Sequence, residues 1–240
     1  MLWLLILPLG IAAGTLGGVV GFGSSVILMP VLAAAFGPKE AVPIMALAAL
    51  MANASRVAVW WREVDWRVNI SYCATAVPAA ALGARVLVGL DPSLAEGVLG
   101  LFLIGMVPGR RWLAARGWSI GLAGMAVVGA GIGFLAGLVA TTGPINTPFF
   151  LAYGLVKGAY ISTEAVGAAA VSLTKMIVFQ RFGALPAEVV ANGLAVGSSL
   201  MIGSWLAKRI VLRFDAAQFR LLLEGMMVLA GVALLWGAFA

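Results

Sequence analysis

Two cations stand inside stretches that are otherwise apolar: Arg56 in "MANASRVAVWW" and Lys175 in "AVSLTKMIVFQ". A charge within a membrane-length apolar run is costly unless a partner or water meets it, so it marks function by default. Each lies about five residues in from the end of its apolar run and follows a hydroxyl residue, Ser55 or Thr174. Fixed cations of this kind hold anions. The alternative is that both side chains snorkel to the membrane interface.

A second set of groups points the same way. "GGVVGFGSSVILMP" (17–30) and "GLVATTGPINTP" (137–148) share one grammar of small residues, paired hydroxyls and a closing proline. Gly21, Gly23 and Gly143 permit turns, and Pro30 and Pro148 suit the first turn of a returning helix. The start of such a helix offers free N–H groups and the positive end of its dipole, which favour an anion. Gly23, Ser24, Ser25, Thr141, Thr142, Gly143 and Asn146, with Arg56 and Lys175, are therefore the candidate anion-binding residues, with Thr147 a further donor nearby. Glu164 is the best placed of the carboxylates in apolar surroundings and is the candidate carrier of a coupling proton. It reads equally as a helix cap or as the partner of Lys157.

The elements that position these groups follow from composition. Of the 240 residues, 63% are hydrophobic and 10% charged, with a mean hydropathy of +1.10. So few charges cannot coat a globular surface, and the chain reads as a polytopic membrane protein. The opening "MLWLLILPLGIAAG" lacks a basic leader and runs on apolar to Gly21, so it reads as the first membrane helix. Histidine is absent and Cys73 is the single cysteine, which excludes an intramolecular disulfide and the familiar hydrolase triads and argues against a metal. No GxxxxGK[ST] motif occurs, so energy must come from a gradient or a partner; the chain is read as a transporter without enzyme chemistry or a cofactor. The net charge of +6 is scattered over loop ends, as loop bias requires and a nucleic-acid surface does not. The tryptophans Trp60, Trp61, Trp66, Trp112 and Trp118 fit an interfacial belt.

Apolar stretches fall at 3–22, 26–37, 40–60, 68–90, 94–109, 119–140, 147–156, 161–180, 186–207 and 216–239. Crossing a bilayer takes about 20 helical residues, so 26–37 and 147–156 reach only part-way. Pro30, Asn53, Ser55, Arg56 and Arg62 correspond to Pro148, Ser172, Thr174, Lys175 and Arg181 at separations of 118–119 residues. The chain thus reads as a duplication: a first repeat 1–109, a basic cytoplasmic linker 110–118 and a second repeat 119–240.

Each glycine-rich stretch either turns the chain back as a hairpin or only packs closely, as Gly14/Gly18 and Gly133/Gly137 could. The hairpin reading places nearly all loop Lys and Arg on one side, leaving little beyond Lys39 and Arg181 on the other. The expected fold is all-α: two inverted repeats, each a broken-helix hairpin (3–37 and 119–156) plus three spanning helices, with both termini outside.

This pattern resembles the TauE/SafE (TSUP) family of sulfite exporters. The resemblance rests on "GTLGGVVGFGSSVILMPVL" and "GAGIGFLAGLVATTGPINTPFFL", with the later copies "NASRVAVWWR" and "SLTKMIVFQRFG". The second copy departs from the glycine-rich pattern at Thr141 and Thr142. The resemblance implies a permease of the bacterial inner membrane for sulfite or another sulfur-containing anion such as an organosulfonate. Partners expected are that anion and the lipid bilayer; the sequence allows a homo-oligomer without fixing its size. Alternating access between the hairpin tips is the expected mechanism, and a passive anion channel or a non-transporting membrane subunit are the alternatives.

Overall fold

In a computed structural model, residues 2–87, 119–138, 143–181 and 185–239 are described. Among them the chain is helical: α1 (Leu2–Val20), α2 (Ser24–Phe36), α3 (Pro38–Trp60), α4 (Trp66–Leu87), α5 (Leu122–Leu138), α6 (Gly143–Tyr153), α7 (Lys157–Arg181), α8 (Ala187–Val211) and α9 (Ala216–Phe239). Four stretches, Trp3–Val20, Pro43–Glu63, Lys157–Arg181 and Ala187–Val211, are long and apolar enough to cross a membrane, and shorter apolar helices accompany them. The expected helix at 94–109, the linker 110–118, Thr141 and Thr142 lie outside the described residues.

The chain turns back on itself where the glycines fall. Gly21 and Gly23 have φ of 91° and 101°, a backbone region closed to most side chains. The turn seats α2 against α1, and the ring of Trp3 near the start of α1 lies 5.7 Å from that of Phe36 at the end of α2. The later copy closes similarly: the Ile120 N–H, just before α5, donates to the Ala152 carbonyl near the end of α6 at 3.3 Å.

Two expectations change in detail. Pro30 and Pro148 lie in the interior of α2 and α6, because those helices begin earlier, at Ser24 and Gly143. Pro144 is the proline of a first turn.

Packing and turning are the work of different glycines. Gly10, Gly14 and Gly18 on α1 face Ser199, Leu200 and Ser204 on α8, and a Cβ on Gly14 would lie 2.7 Å from the Leu200 Cα. Gly129, Gly133 and Gly137 on α5 face Tyr72, Ala76 and Ala80 on α4 in the same way. Helices in lipid gain no hydrophobic drive from meeting, so close backbone approach is what joins them. These two interfaces are the most extensive; α3 also packs on α7 and α8, and α4 on α7. Outward faces carry Leu4, Ile70, Val127 and Trp205, which suits contact with lipid tails.

Local chemistry sets the ends. Asp65 accepts the backbone N–H groups of Arg67 and Val68, each at 3.1 Å, to start α4. Asp215 and Gln218 exchange N–H bonds in a capping box before α9. Lys208 donates to the Val59 carbonyl at 3.1 Å, near the end of α3.

Candidate functional site

The turn after α1 brings Ser24 and Ser25 beside α3 and α7. There they line a cavity of about 40 Å³ together with Asn53, Arg56, Glu164 and Lys175. Arg56 and Lys175, on neighbouring helices from opposite halves of the chain, are 7% and 5% exposed. Neither snorkels to the surface. The start of α2 has no side-chain cap, so its first N–H groups carry their dipole toward the cavity uncompensated by a cap.

The Arg56 fork is the hub. Nη1 donates to the Gly21 carbonyl in the turn and, at 3.3 Å, to Glu164 Oε2; Nη2 donates to Asn53 Oδ1. Among the described residues its buried Nε has no hydrogen-bond partner. Glu164 is fully buried, and its Oε1 accepts from Asn146 Nδ2 at 3.5 Å. The Tyr72 hydroxyl donates to Asn146 Oδ1 at 2.7 Å, and Tyr160 shares a 2.7 Å hydrogen bond with Thr147. A continuous polar chain therefore joins the turn of the first hairpin to the returning helix of the second.

Of the residues singled out from sequence, Ser24, Ser25, Arg56, Lys175 and Glu164 meet on one cavity. Gly23 shapes the turn beside it without lining it. Asn146 stands one contact away, behind Glu164. Thr141 and Thr142 lie outside the described residues; of the second stretch, Asn146 reaches the site through Glu164.

Glu164 is neither a helix cap nor the partner of Lys157: it sits two turns inside α7 and pairs with Arg56. Ser55 and Thr174 turn away, bonding the carbonyls of Met201 and Ala170. Asn53 and Ser172, both on the cavity, were missed as site residues. The signal was present, since each precedes its cation by three residues, the spacing that puts two side chains on one helix face. Tyr72 and Tyr160 carried no such signal. Among the described residues no group of three or more His, Cys, Asp or Glu side chains comes together as a metal site would require.

No curated protein and no solved structure matches the chain. One family model does, described as sulfite exporter TauE/SafE, and it aligns with residues 6–234. With nearly the whole length matched, and the helices of a multi-pass membrane protein, the chain belongs to the TauE/SafE sulfite exporter family.

Proposed function

We propose that the protein is a secondary carrier that moves sulfite, or a closely related sulfur oxyanion, across the bacterial inner membrane by alternating access. The observation that carries this reading is the single cavity on which the hairpin turn, Arg56 and Lys175 converge. By the measure in which one water needs roughly 10–15 Å³, its 40 Å³ matches about three water-sized groups, the scale of a compact trigonal oxyanion. Sulfite suits this conformation better than a sulfonate with a long organic tail.

Ser24, Ser25, the start of α2 and the Arg56 Nε–H supply donors, and Lys175 supplies further charge. Thr141, Thr142, Gly143 and Asn146 belong to the second tip, which meets the anion when the halves rearrange. The repeat division 1–109, linker 110–118 and 119–240 is part of the proposal. Packing supports it: exchanging α1 with α5 and α4 with α8 turns each of the two glycine interfaces into the other. The proposal takes the halves as inverted copies, with both termini periplasmic and the linker cytoplasmic, as the loop charges suggest.

Flux through purified protein in liposomes tests the reading, using sulfite and a small sulfonate with and without a pH gradient. Saturable uptake that accumulates against a gradient is expected. Non-saturating flux without accumulation would make the protein a channel, and no flux of any sulfur anion would remove the carrier assignment.

A further inference from the structure

We propose that Glu164 is a tethered competitor for the transported anion: its carboxylate occupies Arg56 when the site is empty, and a dianion displaces it with uptake of one proton at Glu164. The inference rests on the carrier reading and adds the identity and accounting of the coupled proton.

The geometry of the pair carries it. Glu164 is fully buried, pairs with Arg56 through one carboxylate oxygen and accepts from the neutral Asn146 through the other. Its partner guanidinium lines the cavity and has a buried N–H left over. Arginine does not give up its charge, so whichever anion lies nearest takes it.

An incoming oxyanion at Arg56 takes over the partner that offsets the Glu164 charge. A buried carboxylate left uncompensated beside a second anion is the costliest arrangement available, and protonation removes that cost. The charge balance is simple. Carboxylate plus one proton gives the neutral acid, the proton coming from water on the side to which the cavity opens. The protonated group keeps its Asn146 contact by accepting from Nδ2.

Surrounding groups leave Arg56 as the partner to be exchanged. Among the described residues, the titratable side chains facing Glu164 are Arg56 from α3, Tyr72 from α4, and Tyr160 from its own helix, with Lys175 on the same cavity. α6 contributes the neutral Asn146, and α1 and α5 carry no charged side chain. The exchange also has a mechanical consequence. Through Gly21 on one side and Asn146 on the other, the ion pair straps the first turn to α6, and the anion unhooks that strap as it binds.

The experiment is calorimetric titration of sulfite into the purified full chain, in alkaline buffers of different ionisation enthalpy where sulfite is the dianion. Expected for the native protein are uptake of about one proton per sulfite and affinity falling about tenfold per pH unit. Glu164→Gln should bind sulfite with little proton uptake and a flat pH profile, while Glu164→Asp, which still titrates, should restore the dependence. Sulfite binding without proton uptake, or unchanged uptake in Glu164→Gln, overturns the inference and leaves the carrier standing. Absence of sulfite binding to the native protein overturns the carrier reading together with it.

Discussion

Replacing Arg56 by glutamine tests the centre of the molecule. The substitution keeps an amide near Asn53 but removes the charge that faces Glu164, a carboxylate with no exposure that also accepts from Asn146 at 3.5 Å. Removing one partner of a buried ion pair costs about 3–5 kcal/mol, because the remaining carboxylate must stay charged without compensation or be held protonated above its ordinary range. For a chain of 240 residues that corresponds to a fall in the unfolding midpoint on the order of 10 °C. The double variant Arg56→Gln/Glu164→Gln has no charge to strand and should recover to within about 1 kcal/mol of the native protein. Tryptophan fluorescence during thermal unfolding in detergent reads stability, and liposome assays read sulfite flux. Flux should be lost in both variants although only the single variant is unstable. A single variant as stable as the native protein, or a double variant no better than the single, would refute the claim that Arg56 compensates a buried carboxylate.

Lys175→Met should lower sulfite affinity about 10- to 100-fold, the worth of one charge-assisted hydrogen bond of roughly 1.5–3 kcal/mol, with native affinity by calorimetry counting against its role. Gly21→Ala places a Cβ at φ 91° and 3.0 Å from the Tyr160 ring, and should destabilise the turn by about 1–3 kcal/mol. An unfolding midpoint equal to that of the native protein would exclude the left-handed turn. Gly133→Leu drives a side chain into α4, where the Ala76 Cα lies 2.6 Å from the new Cβ, whereas Gly131→Leu meets nothing within 4 Å. The first should unfold early or fail to assemble at a cost of about 1–3 kcal/mol or more, and the second should behave as the native protein on size exclusion and heating.

Sequence by itself determined that the chain is helical and membrane-embedded, because so few charges admit no other solvent, and it located the turn, because Gly21 and Gly23 accept a backbone most residues refuse. The repeat spacing matched Arg56 with Lys175, and both are buried. Helix starts were less legible: a proline marks where a helix can begin, and Ser24 and Gly143 began them sooner. Glu164 was weighed against Lys157, a neighbour in sequence, whereas its partner lies 108 residues away on α3. That pairing depends on how α3 and α7 rotate against each other when α1 seats on α8 and α4 on α5. Rotation is set by backbone-to-backbone contact at glycines, and a single sequence records which faces are small without saying which face meets which. The cations were written in the chain; the carboxylate that pairs with Arg56, and the cavity that both cations line, were decided by the packing.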